Sequence, residues 1–465
     1  GGKGVCGKCK VKIIEGSSIK ESCTPDELGL LSFIERNAGF RLACRININE
    51  NISIEIPDNK NMQAAILTSG DSNVLLDPSV TKTYLELDRP SVDDQRSDVK
   101  RLEDALGFQN SIKPLIMDQL PDIMRKNDYK ITAAVYNNEL ISIETGCTLD
   151  KKYGVAVDIG TTTMVGFLMD LNTGEQVGLY SALNPQRKYG ADVITRTDFT
   201  IENNNGLKIL SQMVRDEINK MLDYFNHEYG ISSENIYHMT LVGNTIMMHI
   251  FAELPVKNIA VSPFIPVVSR KVDFESKDVN ININPHGIVT ILPMVAGYVG
   301  SDTVAAIMAC DMYEKDRISL LVDIGTNGEI ALGNKDGIVA CSTAAGPAFE
   351  GANIRFGMGG VKGAINKISI TDKVGFTTIG DQPALGICGS GIVDAVAEMF
   401  KSGILDSQGR IKTVDELKNE NLSDKLISSV QSIDNKPAFL ICSKDQGGVD
   451  DIFICQKDIR EVQLA

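Results

Sequence analysis

A short motif that occurs twice after residue 150 constrains the fold more than any other feature of the chain. The first copy, VAVDIGTTTMVGFLMD, begins at Val155, and the second, LLVDIGTNGEIALGN, begins at Leu320. Each copy predicts a strand, a tight DIGT turn and a second apolar strand, with Asp158 and Asp323 in matching positions. The sequence therefore predicts two similar α/β halves that face each other.

The DIGT turns have the composition of a phosphate-binding site. A glycine turn between strands exposes successive backbone N–H groups, and threonine hydroxyls add side-chain donors. The aspartate that ends the strand can hold Mg²⁺ or orient a water molecule. Two ordinary hairpins in related halves are the structural alternative. The predicted catalytic residues are Asp158 and Asp323, and the predicted nucleotide-binding residues are Gly160, Thr161, Thr162, Gly325, Thr326 and Asn327.

Three further glycine turns have the same strand, turn and helix pattern. Gly243 follows the strand MTLV, and a helix is predicted to start near Ser301 and Asp302. Because helix N-termini attract anions, both could face phosphate, although Asp302 could equally be a helix cap. The third turn lies in LGICGSGIVDAVAEM and adds Gly389, Ser390 and Gly391 as predicted nucleotide contacts.

Cysteines are concentrated near the start of the chain. The segment GGKGVCGKC contains Cys6 and Cys9, and Cys44 stands alone in RLACRI. A zinc ribbon would usually supply a second close pair, whereas a close pair joined by a distant thiolate is typical of plant-type [2Fe-2S] sites. The fourth thiolate is expected about five residues before Cys6, just outside residue 1, with Cys23 as the internal alternative. Unliganded thiols in a small β domain are the other interpretation.

Charge and composition exclude several classes of protein. The formal net charge of −15 argues against an extended nucleic-acid surface. No apolar run approaches the length of a membrane span, so a cytoplasmic protein without a membrane partner is expected. Only four histidines are present, and none is spaced from another as paired metal ligands would be. Changes in composition along the chain predict domains at 1–60, 61–150, 151–316 and 317–465.

The first two domains carry their own local signals. In the first, CKVKII and NISIEI alternate as small strands do. In the second, DRPSVDDQRSDVKRLEDALG predicts a charged helix capped by Ser91, and TAAVYNNELISIETG predicts a hairpin with Asn137 and Asn138 at its turn.

The paired DIGT hairpins resemble those of the acetate kinase, sugar kinase, Hsp70 and actin (ASKHA) superfamily, whose members clamp ATP between two related halves. The whole chain resembles the reductive activators of corrinoid proteins. The motifs that carry this resemblance, in order, are GGKGVCGKC, RPSVDDQRSD, AVDIGTTT, VGNTIMMHI, VDIGTNGE, AAGPAFEG, GICGSGIVDA and QKDIREVQLA. It implies a multi-domain α/β protein with a clipped ferredoxin-like β-grasp domain, a small α+β connecting domain and duplicated ATPase halves.

The resemblance also implies an activity and its cofactors. Cys6, Cys9 and Cys44 match the last three ligands of the family's [2Fe-2S] cluster, and the two DIGT turns match its sites for ATP and Mg²⁺. Cluster electrons would reduce an inactive Co(II) corrinoid protein to Co(I), with ATP acting through conformation and an upstream donor reducing the cluster. The family usually continues past DIREVQLA through a helix to a Gly-Gly turn. Whether the molecule is a homodimer is left open.

Two other functions remain as alternatives from the sequence alone. The first is a small-molecule kinase of the same fold with a regulatory ferredoxin-like domain, although no catalytic base can be singled out for it. The second is an actin- or Hsp70-like binding module without electron transfer, which would lack the visible spectrum of a cluster.

Overall fold

The computed structural model divides into two compact units. One comprises Gly1–Leu67, Val322–Ile330 and Ser342–Ala465, and the other comprises Thr68–Leu321 and Ala331–Cys341. In the described part of the chain, no helix is both long enough and apolar enough to cross a membrane. The residues that the structure describes are 10–15, 23–25, 27, 31, 36, 39–48, 51–55, 76–107, 111–190, 192–325, 327–343, 347–351, 354–420, 422–433 and 436–465.

A small antiparallel sheet organises the described residues near the amino end, as the alternating sequence predicts. Val11 and Ile13 point to one face of the central strand and pack with Ile46 and Ile52. The strand order is β2–β1–β3, for β1 (Lys10–Glu15), β2 (Phe40–Leu42) and β3 (Ser53–Glu55). The predicted cluster ligands Cys6 and Cys9 lie outside the described residues.

The connecting region is a four-stranded sheet with two helices packed on it. Its elements are β4 (Val80–Glu86), α1 (Asp98–Leu106), β5 (Ser111–Ile112), α2 (Pro114–Lys126), β6 (Lys130–Tyr136) and β7 (Glu139–Thr145), with strand order β4–β6–β7–β5. The predicted hairpin is confirmed, since Asn137 and Asn138 connect β6 to β7 with positive φ angles of 46° and 65°. The predicted helix cap is wrong. Ser97 caps α1, and Ser91 instead accepts amide hydrogens within a preceding turn.

The next region is built on a six-stranded sheet with the order β10–β9–β8–β11–β13–β12. Strands β8, β11 and β13 are parallel neighbours, so their carboxyl ends lie at one edge. The long helix α4 packs its apolar side against the sheet through residues such as Val214, Ile218 and Phe225. The elements are β8 (Tyr153–Ile159), β9 (Thr163–Asp170), β10 (Gln176–Leu183), α3 (Val193–Glu202), α4 (Gly206–Tyr229), β11 (Ile236–Val242), α5 (Thr245–Phe251), β12 (Val272–Glu275), β13 (Ile288–Ile291) and α6 (Ser301–Ala309).

Three small sheets and four helices make up the described residues of the carboxyl-terminal part of the chain. The strand orders are β14–β15–β16, β18–β17–β19 and β20–β21–β22. The elements are β14 (Ser319–Ile324), β15 (Gly328–Asn334), β16 (Gly337–Thr343), β17 (Ala364–Ile370), β18 (Val374–Thr378), β19 (Gly386–Ile387), α7 (Gly389–Lys401), α8 (Val414–Asn419), α9 (Asp424–Ser429), β20 (Val430–Ile433), β21 (Lys436–Cys442), β22 (Ile452–Cys455) and α10 (Gln456–Leu464).

The two copies of the repeat fold alike but are buried differently. In each copy the DIGT turn joins two neighbouring strands, β8 to β9 and β14 to β15. Val155, Val157 and Ile159 of β8 are at most 3% exposed, whereas Leu320, Val322 and Ile324 at the matching positions of β14 are 64%, 51% and 53% exposed. The strand before the first turn therefore packs into an apolar core, whereas the strand before the second turn does not at these positions.

A buried polar network joins the connecting sheet to the six-stranded sheet. The ammonium group of Lys82, whose side chain is 1% exposed, donates to Glu144 Oε2 at 2.7 Å and to the Tyr237 hydroxyl at 2.9 Å. Tyr237 in turn donates to Glu144 Oε1 at 2.5 Å. Burial lowers the pKa of Lys82, and its hydrogen bond to Glu144 opposes that shift. The network therefore links β4 and β7 to the start of β11.

Replacing Glu144 by leucine should lower the free energy of unfolding by about 3–5 kcal/mol, because it leaves the Lys82 charge buried without its carboxylate. Urea denaturation followed by circular dichroism would measure the change. The matched control is Glu86→Leu on β4, whose carboxylate is exposed and pairs with Lys130 at 3.6 Å. That variant should cost at most about 1 kcal/mol. Equal small losses in both variants would contradict the role assigned to Glu144.

Candidate functional site

The carboxyl edge of the six-stranded sheet brings two of the predicted turns together. Asp158 is exposed at the end of β8 and is the register partner of Val242, the last residue of β11. Gly243 and Asn244 follow Val242 directly, so the DIGT turn and this second glycine turn are neighbours. In open α/β sheets, ligands bind outside the carboxyl ends of the strands. This edge is therefore the candidate nucleotide site of the first half.

The start of α6 packs against the same edge, where its backbone lies close to that of Gly243. Ser301 is fully buried, and its hydroxyl donates to Gly243 O and accepts from Gly243 N, both at 3.1 Å. A Cβ atom at Gly243 would lie 2.7 Å from Ile159 O, and one at Gly300 would lie 2.4 Å from Gly243 O. Only glycine fits at these two positions, because any side chain would force β8, β11 and α6 apart.

Asp302 lies in the first turn of α6 rather than at its cap. The N-cap position is occupied by Gly300, and Asp302 Oδ1 accepts the amide hydrogen of Thr303 at 2.7 Å. Asp302 is half-buried at the edge that also carries Asp158. The prediction that Asp302 caps the helix is therefore wrong. Because Asp302 lies at this edge, contact with a bound ligand stays a prediction for it.

The DIGT turn of the first half is held by two residues that the sequence did not single out. Asn184 Nδ2 donates to Gly160 O at 2.8 Å, and its backbone amide donates to Thr162 O at 2.9 Å. Arg196, which is fully buried, donates from Nη2 to Thr161 O. Three successive carbonyl groups of the turn are thus bound by neighbouring elements.

This arrangement holds three successive peptide groups of the turn in place. In a trans peptide the C=O and N–H bonds point in opposite directions, so a bound carbonyl also fixes the amide that follows it. Backbone N–H groups held in place at a turn can contact phosphate oxygens. Thr161 and Thr162 are half-buried at this turn, and their contacts with phosphate stay a prediction.

Replacing Arg196 by lysine should weaken nucleotide binding about tenfold or more, because lysine cannot reproduce the fork of contacts to Thr161 O, Gly190 O and Gln186 Oε1. Equilibrium titration with a fluorescent ATP analogue would measure the dissociation constant. The control is Arg187→Lys, an exposed arginine of the preceding segment. An affinity unchanged by Arg196→Lys would show that the turn keeps its shape without this residue.

A histidine beneath the second glycine turn is structural. His249 Nδ1 lies 2.8 Å from Thr245 O, and its Nε2 accepts the amide hydrogen of Val267 at 3.1 Å. The ring therefore carries its proton on Nδ1 and is neutral, and burial lowers its pKa below the usual value. Its contacts hold α5 to the loop before β12, which explains its presence without a catalytic role.

The second DIGT turn is described in part. Asp323 is exposed at the end of β14, and Gly325 N donates to Asn327 O at 2.9 Å across the turn. Thr326 lies outside the described residues. This turn is therefore tight, as predicted, and its contacts with nucleotide remain a prediction.

The third predicted turn has a packing role in the structure. A Cβ atom at Gly389 would lie 1.8 Å from Phe349 O, and one at Gly391 would lie 2.3 Å from Ile365 O. Ser390 donates to Asn366 O at 2.8 Å. These residues seat the start of α7 against β17, and nucleotide contact by Gly389, Ser390 and Gly391 stays a prediction. A neighbouring groove of about 370 Å³ lies along α7 and α10 and is almost wholly apolar, so it does not suit phosphate.

At the amino end, Cys44 is the one predicted cluster ligand that lies within the described residues. It is a half-buried cysteine on the short 3₁₀ turn Ala43–Arg45 that follows β2. Among the residues that the structure describes, no three His, Cys, Asp or Glu side chains come together as a metal site. The assignment of Cys44 as a thiolate ligand of a cluster therefore stays a prediction.

Comparison with known proteins identifies the family. The whole chain aligns at 30% identity over 475 residues with the corrinoid activation enzyme RamQ of Eubacterium limosum, covering 75% of that protein. The chain belongs to the RACo family. Family models match the RACo linker region at 69–150, the RACo middle region at 153–315 and the C-terminal ASKHA domain of RACo at 317–465.

Two further relatives of this RACo family member support the assignment. A solved structure of a reductive activator for a corrinoid, iron-sulfur protein superposes with a TM-score of 0.74 at 31% identity, covering 99% of this chain and 75% of that chain. The [Co(II) methylated amine-specific corrinoid protein] reductase of Methanosarcina barkeri is 25% identical over 292 residues, which cover 55% of this chain and 52% of that protein. The resemblance and the ASKHA fold class predicted from the sequence are confirmed.

Proposed function

We propose that this protein uses ATP to drive the one-electron reduction of a corrinoid protein from Co(II) to Co(I). One observation carries the proposal: a chain related along its whole length to a corrinoid activation enzyme holds Asp158, Gly243 and Asp302 at one sheet edge, beside a turn whose carbonyls are bound by Asn184 and Arg196. Backbone amides and a helix N-terminus at this edge are groups that can bind phosphate, and a simple electron carrier would not need them. They therefore favour an ATP-dependent activator.

The residues of the two DIGT turns would bind the triphosphate. Mg²⁺ in nucleotide sites usually takes one or two carboxylates, and phosphate and water supply its other ligands. The exposed carboxylate of Asp158 fits that role, and Asp323 is assigned the matching role in the second half. The phosphate contacts are assigned to Gly160, Thr161, Thr162, Gly325, Thr326, Asn327, Gly389, Ser390 and Gly391.

The amino-terminal residues would hold the redox centre. Cys6, Cys9 and Cys44 are assigned as ligands of a [2Fe-2S] cluster, which when bound supplies one low-potential electron. The half-buried site of Cys44, between β2 and the segment that leads to β3, limits access of water to its thiolate. The proposed domains are a cluster domain at 1–60, a connecting domain at 61–150 and ATPase halves at 151–316 and 317–465.

An energetic argument explains why ATP would be needed. Plant-type clusters have potentials of about −400 mV. A Co(II) acceptor that is harder to reduce makes the transfer unfavourable by about 2.3 kcal/mol for each 100 mV. Nucleotide binding and hydrolysis can offset this difference by favouring a conformation in which cobalt is more easily reduced. No phosphate is transferred to the corrinoid protein in this scheme.

The test is an anaerobic assay with the full-length protein, a chemical reductant and a candidate corrinoid protein, in which the Co(II) absorption is followed over time. The absorption should fall rapidly with ATP and Mg²⁺ and slowly with ADP or without nucleotide. Loss of Co(II) at equal rates under all three conditions would contradict the proposal. ATP-dependent phosphorylation of a sugar or an acid, unaffected by any corrinoid protein, would indicate a kinase instead.

A further inference from the structure

An apolar loop on the surface of the middle region has no part in the nucleotide site. It covers residues 254–270, between α5 and β12, and is named the α5–β12 loop. Val256 and Ile259 anchor it in the core of that region. Isolated exposed apolar residues are common, whereas a continuous patch of them marks a site of association. Five large apolar side chains on the loop and on a neighbouring segment are 41% to 59% exposed: Val261, Phe264, Ile265, Val267 and Val295.

Backbone hydrogen bonds bring these side chains into one patch. The amide of Ile265 donates to Asn258 O at 3.1 Å and folds the loop back on itself. The amide of Met294 donates to Ser269 O at 2.8 Å, which places Val295 beside the loop. The exposed apolar residues therefore form a single surface and are not scattered positions.

The ring of Phe264 fixes the loop on the segment that leads to α6. It meets the ring of Tyr298 edge to face, with the two centroids 5.2 Å apart. A Cβ atom at Gly297 would lie 2.4 Å from Phe264 O, so this close approach requires glycine. An apolar surface that is already held in shape loses little conformational freedom when a partner binds, which favours association.

The charge of the loop differs from that of the whole chain. Lys257 and Arg270 are the only charged residues of the loop, in a chain whose formal net charge is −15, and both are exposed. In a symmetric dimer that used this surface, two copies of the loop would face each other and bring like charges together. The loop is therefore better suited to a different protein, whose contact surface is apolar at its centre and acidic at its rim.

The loop is attached to the same elements as the nucleotide site. His249 lies on α5, the helix that follows the second glycine turn, and its Nε2 accepts the amide hydrogen of Val267 at 3.1 Å. Thr245, at the start of α5, donates from its hydroxyl to Ala296 O at 2.6 Å, on the segment that leads to α6. A nucleotide at the sheet edge would contact the starts of α5 and α6, so its binding can change the position of the loop.

We propose that the apolar and basic surface of the α5–β12 loop is the docking site for the corrinoid protein, and that nucleotide at the neighbouring sheet edge controls this docking. The inference rests on the proposed function, because it requires a corrinoid protein as the partner. The electron acceptor is the partner whose affinity an ATP-dependent activator must change, since it has to bind before the electron transfer and leave after it. The loop has both the chemistry of a protein contact and an attachment to the nucleotide site.

The test measures the affinity of the full-length protein for the corrinoid protein whose Co(II) it reduces, by biolayer interferometry. Binding is compared with a non-hydrolysable ATP analogue, with ADP and without nucleotide, and the affinity should differ between these states. The variant Val261→Ser/Ile265→Ser removes two exposed apolar side chains and should weaken binding at least about tenfold. Lys257→Glu should also weaken binding, by a factor that decreases as salt is added.

The matched control is Ile201→Ser, which removes an isoleucine of α3 that is 48% exposed and lies outside the loop. It should leave the affinity unchanged. ATP hydrolysis in the absence of the corrinoid protein should be the same in all variants, because none of the substituted residues lies in the nucleotide site. Light scattering and thermal unfolding of each variant would show whether its oligomeric state or stability has changed.

Every other outcome assigns the surface to a different role. An unchanged affinity in either loop variant, or equal affinities in the three nucleotide states, would overturn the inference while the proposed function stands. A smaller native mass of the loop variants would show that the patch joins two copies. A larger fall in unfolding temperature than in Ile201→Ser would show that another part of the chain covers it, and both results also refute the inference. If the unmodified protein reduces no corrinoid protein, the proposed function is wrong, and this inference is wrong with it.

Discussion

Replacing Asp158 by asparagine should abolish the ATP dependence of cobalt reduction and slow ATP hydrolysis about 100-fold or more. Asparagine keeps the shape of the side chain but removes the charge that would attract Mg²⁺, and loss of one group that stabilises transition-state charge typically costs a factor of about 10²–10³. Because Asp158 is exposed at the end of β8, the substitution should leave the fold intact. Phosphate release and the Co(II) absorption would be measured on the same preparation.

The same substitution at Asp323 should have the same effect, because the two turns are assigned equivalent roles. The matched control is Asp223→Asn, an exposed aspartate on α4 that does not lie at the sheet edge. It should leave both hydrolysis and cobalt reduction unchanged. If Asp323→Asn hydrolyses ATP at the wild-type rate, the second turn does not have the role in nucleotide binding that is assigned to it. If Asp158→Asn does so, the same conclusion holds for the first turn.

The strand and turn pattern around Asp158 could be read directly from the sequence, because its signals are local. Short apolar runs mark β8 and β9, and the DIGT tetrapeptide marks the turn between them. The positive φ angles at Asn137 and Asn138 likewise follow from residue types that tolerate that conformation. Where one short segment determines the structure, the prediction was correct.

The supports of the turn could not be found in this way, because they depend on contacts between distant segments. Asn184 and Arg196 lie 24 and 35 residues from the turn carbonyls that they bind. One signal was present, since Arg196 falls three residues after the buried Val193 on the same face of α3. An arginine on a buried helix face requires polar partners, although the sequence does not say which ones.

The wrong prediction of a helix cap at Ser91 has a different cause. Two serines precede this helix, and both have a side chain suited to capping. The structure uses Ser97, which directly precedes the first helical residue.

Replacing Cys44 by serine should remove the visible absorption of the [2Fe-2S] cluster. The thiolate is the ligand in such clusters, and a serine hydroxyl at the same place is a far weaker one. The substitution is nearly isosteric. The 3₁₀ turn and the hydrogen bond that the Leu42 amide donates to the Glu27 carboxylate just before it should therefore persist. Absorption and electron paramagnetic resonance after anaerobic reconstitution would measure the loss.

Cys23 provides the sharpest control for this prediction, because it is the other described cysteine near the amino end that could act as a ligand. Both thiols are half-buried, so Cys23→Ser and Cys44→Ser differ little in burial. Cys23 directly precedes Thr24, which is bound by Glu27, whereas Cys44 follows Leu42, which is bound by the same carboxylate. If Cys44 is the ligand, only Cys44→Ser bleaches the protein. A bleached Cys23→Ser protein beside a fully coloured Cys44→Ser protein would transfer the assignment to Cys23.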